Sequence, residues 1–289
     1  MRPFEYLEPS TLDEAVALLE RGNGSACVLA GGTDLLVQMR EHVRRPEQVI
    51  NIKKIPGIDD FSVSASDGLR IGALTTTRCV ETSPLVRRHY AGLCQAVTHF
   101  ASIQVRNRAT IVGNVCRASP SADTLPPLIA DAAQLTLRGP SGMRAVAVED
   151  FCSGPGKTVL APGEMVTHVI VPPPSPRTGK AYLKHGRRIE MELATVGAAV
   201  TLTLDEGGVC SEIRIALAAV APTPIRARRA EALLRRQSPS AELIAAAAQA
   251  ASEESLPIGD VRGSAAYRRH MVGVLTRRAL EQALKEAQR

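Results

Sequence analysis

The run Leu29-Ala30-Gly31-Gly32-Thr33-Asp34-Leu35 closes a short apolar segment that begins at Ala26. Glycine at such a place lets the backbone adopt positive φ and approach a ligand without a Cβ in the way. A second run, Thr110-Ile111-Val112-Gly113-Asn114, follows the apolar start at Ala109. We predict that each run is a glycine turn at the end of a strand. Together they would form a two-sided cradle for a phosphate-bearing group, whose oxygens backbone N–H groups and helix N-termini can bind.

Each polar residue near these turns also suits an ordinary structural role. Thr33 or Asp34 is suited to cap a helix, and Asn114 to stabilise its own turn. Asp123, which closes Ser119-Pro120-Ser121-Ala122-Asp123, precedes Pro126 by three residues and is also suited to cap a helix. Lys184 lies near the start of a strand, where lysine is usually solvated. On the residues alone, these alternatives stay open.

Length and composition indicate two domains and an aliphatic core. The chain has 289 residues and only 3% aromatics, so stacking of aromatic side chains on a ligand is limited. The net charge of +6 is spread over helices that also carry Glu, without a basic stripe and stacking aromatics, which excludes nucleic acid as a partner. Met1–Tyr6 has no signal-peptide character and no apolar run reaches membrane-spanning length. We therefore expect no membrane span and a cytoplasmic location.

The cysteines are widely spaced and form no CxxC motif. This pattern is typical of buried thiols in a reduced compartment. Metal sites usually draw on clustered ligands, so we expect neither a zinc site nor an iron–sulfur cluster on this chain. The residues concerned are Cys27, Cys79, Cys94, Cys116, Cys152 and Cys210.

Hydrophobic spacing predicts the elements of the first domain. Between residues 101 and 131 we expect a turn, a strand, the second glycine loop and a helix. Strands at Gln134–Arg138 and Met165–Val171 should complete one mixed sheet. The other predicted elements are helices over 11–21 and 84–100, a short helix carrying Leu35, Leu36 and Met39, and strands at 27–30, 48–52 and 69–73.

The segment Pro172–Pro176 continues neither a helix nor a central strand, so we place the domain boundary there. The first domain is then residues 1–174 and the second residues 177–289. In the second domain, Val196–Leu204 and Val209–Val220 flank Asp205–Gly208, a hairpin signal. Three helices follow at about 227–237, 240–254 and 264–287. This pattern predicts an antiparallel sheet covered by helices, and an α+β fold class for the chain.

Two segments resemble other nucleotide-binding motifs without satisfying them. Gly22-Asn23-Gly24-Ser25-Ala26-Cys27 lacks the last glycine of the dinucleotide fingerprint and precedes its strand, so it indicates the end of a helix. Gly156-Lys157-Thr158 looks like the end of a P-loop, but the first glycine of that motif would fall at Phe151. A P-loop ATPase is thereby excluded.

In combination, the motifs resemble the FAD-binding medium subunit of the molybdenum hydroxylases, the group of xanthine and carbon monoxide dehydrogenases. The resemblance covers nearly the whole chain. It implies a two-part FAD-binding domain of the vanillyl-alcohol-oxidase/PCMH type, followed by a smaller domain of antiparallel sheet and helices. The segments that carry it are the two glycine runs with Ser119–Asp123, Gly154–Thr158, the prolines after Val171, and Tyr182–Arg188 leading into Ala194–Val196.

The resemblance also implies roles for single residues. Both glycine runs and Ser119 would hold FAD, and Asn114, as in the xanthine dehydrogenase type, would hydrogen-bond the cofactor. Asp123 would accept hydrogen bonds from the adenosine ribose hydroxyls, and Lys184 would reach toward the flavin. The family usually has a Gly-Gly pair here, whereas this chain has Val112 before Gly113. The valine side chain bears on how closely the backbone can approach the phosphates at this position.

The implied function is electron transfer by non-covalent FAD, with no catalytic acid or base on this chain. Electrons would come from the 2Fe-2S clusters of a small subunit, which takes them from a molybdopterin large subunit. NAD+, oxygen or another acceptor would receive them. The 4-hydroxybenzoyl-CoA reductase branch is disfavoured, because a cysteine-rich insertion is missing. Two alternatives stay open: a self-sufficient FAD-dependent oxidase, and a flavin-free scaffold subunit of the same complex.

Overall fold

The N-terminal part of the chain forms a small parallel sheet. A computed structural model describes residues 1–188 and 190–289. The Thr11 side chain accepts a hydrogen bond from the Glu14 N–H and so caps the first helix, which confirms the helix predicted over 11–21. The sheet has the order β1-β3-β2, and both pairings are parallel. Its elements are β1 (Glu5–Leu7), α1 (Leu12–Arg21), β2 (Ala26–Leu29), α2 (Leu35–Arg40) and β3 (Gln48–Asn51).

A second, five-stranded sheet is antiparallel throughout, in the order β4-β5-β10-β6-β7. The prediction of one mixed sheet is therefore wrong. Helices connect the strands of the first, parallel sheet, whereas in the second sheet tight turns join the antiparallel pairs β4–β5 and β6–β7. The strands are β4 (Phe61–Ser64), β5 (Gly68–Gly72), β6 (Gln134–Gly139), β7 (Gly142–Ala147) and β10 (Met165–Val171); β8 (Cys152–Gly154) and β9 (Lys157–Thr158) form a separate hairpin.

Short helices fill the segment between β5 and β6. The single helix predicted over 84–100 is divided at Tyr90, whose backbone lies at φ −134° and ψ 50°. There the Tyr90 ring is buried and its hydroxyl donates a hydrogen bond to Pro172 O. The helices of this region are α3 (Thr77–Thr82), α4 (Pro84–His89), α5 (Ala91–Thr98), α6 (Ile103–Arg106), α7 (Ile111–Arg117) and α8 (Leu125–Ala130), and α9 (Val148–Phe151) follows β7.

The C-terminal part is an antiparallel sheet with helices, as predicted. Its order is β11-β12-β13-β14. The predicted hairpin joins β12 to β13, and three helices follow it. The elements are β11 (Thr178–His185), β12 (Val196–Leu204), β13 (Cys210–Ala218), β14 (Ile225–Arg226), α10 (Arg228–Leu234), α11 (Ala241–Glu254) and α12 (Ala265–Ala287).

The N-terminal part of the molecule, from β1 to β10, packs directly against the C-terminal part, from β11 to α12. Helix α12 covers β11 and β12, while α5 contacts β11 and α8 contacts β12 and β13. Tyr182, Ala199 and Ala216 of the C-terminal sheet belong to the N-terminal hydrophobic cluster. The boundary at Pro172–Pro176 stays a prediction. Among the described residues, no helix has the length and apolar character needed to span a membrane.

Candidate functional site

A cleft of about 650 Å³ lies where the predicted segments meet. The run after β2, helix α7 and the segment before α8 form much of its wall, and β10 contributes Met165 and Val166. Residues far apart in the sequence therefore share one site. The predicted residues on the wall are Ala30, Gly31, Gly32, Thr33, Asp34, Leu35, Thr110, Val112, Gly113, Asn114, Ser119 and Asp123.

Three predicted site residues lie elsewhere. The Leu29 side chain packs with Met39 and Val49, and Ile111 is fully buried in the main core. Lys184 lies behind the wall, where its ammonium group binds Asp123.

The first glycine run has the backbone geometry that the sequence predicts. Gly32 has φ +74°, a conformation that favours glycine. An ideal Cβ on Gly31 would clash with Arg108 O. Glycine at this position therefore lets the first run pack closely against the backbone of residues 108–109, which precede the second run. Within the described part of the chain, the N–H groups of Gly32, Thr33 and Asp34 donate no hydrogen bond. These donors are free for an anionic ligand.

The second glycine run is not a turn at the end of a strand, and that prediction is wrong. Thr110 caps helix α7, and Gly113 lies in the first turn of this helix. The Gly113 N–H donates to Thr110 Oγ1 at 3.0 Å, so this donor is already used. A bridge between Thr76 and Thr110 is the β pairing found there. The threonine cap favours a helix over the strand that the apolar residues suggest, and the Val112 side chain joins the hydrophobic core.

Asn114 is held so that its amide nitrogen stays available. The Thr124 hydroxyl, which is fully buried, donates a hydrogen bond to Asn114 Oδ1 at 2.7 Å. A buried hydroxyl proton needs an acceptor, and Asn114 Oδ1 supplies it. No described residue accepts from the Asn114 amide nitrogen. Asn114 therefore presents hydrogen-bond donors to the cleft.

Asp123 is a buried carboxylate at the cleft wall with partners on both oxygens. Lys184 Nζ lies 2.9 Å from its Oδ2, and the Tyr182 hydroxyl donates to its Oδ1 at 2.8 Å. Burial raises the pKa of Asp123 above its ordinary value and is the largest effect, while the Lys184 charge and the hydrogen bonds from Lys184 and Tyr182 oppose this rise. Lys184 Nζ also donates to His99 O at 3.1 Å. The two β11 residues therefore favour the ionised form of Asp123.

Several residues on the wall were not predicted from sequence. Arg117, at the end of α7, binds Asp34 with 2.8 Å between Nε and Oδ2, and so joins the two glycine runs. Its position shortly after Asn114 on one helix was a usable signal. Arg44, Phe100 and Leu193 also line the cleft, but they come from separate segments and no local motif marks them.

Comparisons with known proteins identify the family. A family model described as the FAD binding domain in molybdopterin dehydrogenase matches residues 2–174, and one described as the CO dehydrogenase flavoprotein C-terminal domain matches residues 180–283. The chain is 37% identical over 280 residues to the carbon monoxide dehydrogenase medium chain of Hydrogenophaga pseudoflava, covering 97% of this chain and 96% of the relative. It is 33% identical over 284 residues to the xanthine dehydrogenase FAD-binding subunit of Escherichia coli O157:H7, covering 98% and 96%.

A solved structure agrees with these relatives. Carbon monoxide dehydrogenase from Hydrogenophaga pseudoflava, in a form lacking the Mo-pyranopterin moiety of the molybdenum cofactor, contains a chain that matches with a TM-score of 0.94. Sequence identity is 38%, and the match covers 99% of each chain. The predicted fold class is thereby confirmed.

The residues of the cleft suit FAD. A diphosphate suits the free N–H groups at Gly32–Asp34 on the cleft wall. Arg44 and Arg117, which also line the cleft, are side chains of the type that binds phosphate. The Asp123 carboxylate accepts hydrogen bonds and so suits sugar hydroxyls. Because the two family models together span most of the chain and relatives match it nearly end to end, this chain belongs to the FAD-binding medium subunits of the molybdenum hydroxylases, a family of oxidoreductases.

Proposed function

We propose that this chain transfers electrons through bound FAD within a three-component molybdenum hydroxylase. It takes them from the 2Fe-2S clusters of a small subunit, and a molybdopterin large subunit oxidises the substrate. NAD+ or another acceptor receives the electrons. The observation that carries the proposal is the convergence of the three predicted segments on one cleft in a chain of this family. The similar Hydrogenophaga protein is itself called a medium chain, which supports partner subunits here.

The residues on the cleft wall divide the work of binding. Gly32, Thr33 and Asp34 offer N–H groups to the diphosphate, and the Arg117 guanidinium lies beside them in an ion pair with the Asp34 carboxylate. Asn114 donates from its amide to an acceptor on the cofactor. Asp123 accepts from the adenosine ribose hydroxyls.

Electron transfer requires no covalent chemistry from the side chains of this protein. Bound FAD supplies the redox chemistry, since flavin exchanges electrons singly or in pairs. The protein's task is to bind, orient and shield the cofactor. Leu193 and Phe100 place apolar surface on the cleft wall. No side chain is needed as a catalytic acid or base.

The test compares the chain alone with the complex. The purified chain should bind about one FAD that dithionite bleaches reversibly, contain no iron, and fail to oxidise purines, aldehydes or carbon monoxide. Co-expression with the small and large subunits of its complex should give substrate-dependent reduction of the flavin, and NAD+ should reoxidise it under anaerobic conditions if NAD+ is the acceptor.

Each alternative has its own outcome. Substrate turnover by the chain alone would support a self-sufficient oxidase and contradict the proposal. A colourless chain that remains colourless in the assembled complex would identify a scaffold subunit. Stoichiometric iron in the chain alone would show that it carries a cluster of its own.

A further inference from the structure

Three buried polar side chains form a cluster that joins the two parts of the molecule at the cleft. Asp123 comes from the segment before α8, whereas Tyr182 and Lys184 come from β11. The Lys184 and Asp123 side chains are only 7% and 6% exposed, and Tyr182 is 1% exposed. Of the three, only Asp123 lines the cleft. The two β11 residues therefore reach the cleft through this carboxylate.

The strand geometry explains how both β11 residues meet one carboxylate. Tyr182 and Lys184 are two positions apart, so their side chains leave the same face of the strand. Their partners on β12 are Ala199 and Gly197, both small. An ideal Cβ on Gly197 would lie 2.9 Å from the Tyr182 hydroxyl oxygen, so glycine there leaves room for this hydroxyl. The space around the cluster is matched to the Tyr182 ring.

The hydrogen bonds of the cluster leave Asp123 free to accept more. Among the residues that the structure describes, each carboxylate oxygen has one partner, and an ionised carboxylate has about four acceptor sites. A buried carboxylate without such partners would tend to take up a proton, and a protonated carboxyl group is a poorer acceptor. Tyr182 and Lys184 thus decide both the charge and the direction of the group that faces the cleft.

We propose that Tyr182 and Lys184 are positioning residues, which hold the Asp123 carboxylate ionised and directed at the ribose hydroxyls of the adenosine half of FAD. The C-terminal part thereby takes part in selecting FAD over FMN, which has no adenosine. Lys184 acts through Asp123 and does not itself contact the flavin. The inference rests on the proposed function, since it assumes that FAD occupies the cleft.

A second buried ion pair provides a matched control. Lys180 Nζ lies 2.8 Å from Asp131 Oδ1, with side chains 6% and 3% exposed. This pair also joins β11 to the N-terminal part, but neither residue lines the cleft. If the Lys184–Asp123 pair merely fastened the two parts together, the loss of either lysine would affect the cofactor in the same way.

The experiment measures FAD and FMN affinity by flavin fluorescence, on protein stripped of flavin and purified with the subunits that accompany it. Tyr182→Phe should weaken FAD binding about tenfold and Lys184→Met about a hundredfold, with FMN affinity unchanged. Lys184→Arg should retain most of the FAD affinity. Lys180→Met should lower the melting temperature but leave the ratio of FAD to FMN affinity as in the wild type.

A pH series adds a readout that a structural role would not move. Without the Lys184 charge, the pKa of Asp123 rises further, so FAD binding by Lys184→Met should weaken as the pH falls from 8 to 6. The other groups that lower the pKa of Asp123 are Tyr182, through its hydrogen bond, and His99, through its charge. The wild type and Lys184→Arg should show a flatter profile.

The outcomes separate the inference from the proposed function. Wild-type protein that binds neither FAD nor FMN would contradict the proposed function itself. Wild-type binding with equal losses of FAD and FMN affinity in Lys184→Met, or with equal effects of Lys184→Met and Lys180→Met on FAD, would overturn the positioning role alone.

Discussion

At Gly32, both the backbone conformation and the proposed nearby diphosphate disfavour an acidic side chain. Its φ of +74° suits glycine, and the N–H groups of Thr33 and Asp34 donate to no described residue, which leaves them free for the proposed diphosphate. Gly32→Asp adds backbone strain of roughly 1–3 kcal/mol and places a carboxylate near the phosphates. We expect this variant to fold with reduced stability and to lose most of its FAD, measured as flavin released per chain.

Gly208 provides the control for Gly32→Asp. It lies in the hairpin before β13 with φ +79°, and a Cβ there would meet nothing within 4 Å. Gly208→Asp should carry a similar backbone cost and keep its full flavin content. Flavin content in Gly32→Asp equal to that in Gly208→Asp would rule out this run as the diphosphate site.

Strand β10 carries a histidine whose protonation opposes folding. Burial, and then the neighbouring Arg70 charge, lower the pKa of His168 to about 4, while Asp60 has a smaller opposite effect. Because the unfolded chain has the ordinary pKa near 6.5, it binds more protons than the folded chain as the pH falls from about 6.5 toward 4. The contribution of neutral His168 to the free energy of unfolding is therefore fully present above about pH 6.5, and it is lost as the pH falls from about 6.5 to about 4.

His168→Gln should reduce this dependence on pH. Allowing for the partial exposure of His168, the free energy of unfolding of the wild type should fall by about 1 kcal/mol more between pH 7 and pH 5 than that of the variant. Urea denaturation at both pH values measures the difference. The exposed His270, changed to Gln, is the control. An identical decline in the wild type and His168→Gln would contradict the assignment.

The whole molecule is held together by charge as well as by apolar packing across its two parts. Besides Lys180–Asp131, Arg226 of β14 binds Glu149 of α9 at 3.2 Å. Lys180→Met leaves Asp131 buried without its cation, which should cost about 3 kcal/mol. Arg277→Met removes an exposed pair with Glu281 and should cost less than about 0.5 kcal/mol.

Scanning calorimetry tests this view of the interface. Because Tyr182, Ala199 and Ala216 share the N-terminal cluster, we expect one cooperative transition, which Lys180→Met shifts to lower temperature as a whole. Two separate transitions, with only one of them shifted, would show that the two parts unfold independently.

Local patterns were sufficient for most elements and for most of the segments that line the cleft. Helix α1 follows from its cap and apolar spacing, and the β12–β13 hairpin from Asp205–Gly208, because these signals lie within a few residues of the element they specify. The positive φ at Gly32 agrees with the predicted glycine turn, whereas Gly113, which also follows an apolar run, lies in a helix. Roles for Asn114 and Asp123 came from family resemblance, because each residue alone suits an ordinary cap or turn.

Contacts between distant segments explain what the local patterns missed. Residues 109–112 have the composition of a strand, yet the Thr110 cap and the packing of Ile111 and Val112 in the core make them the start of α7. The helix over 84–100 is broken at Tyr90, whose buried ring places its hydroxyl against the distant Pro172 O. The division into two sheets, and the approach of Tyr182 and Lys184 to Asp123 across the molecule, depend on how strands pair and pack. Which strands pair depends on packing between residues that are far apart in the sequence, so the spacing of residues along the chain does not predict it.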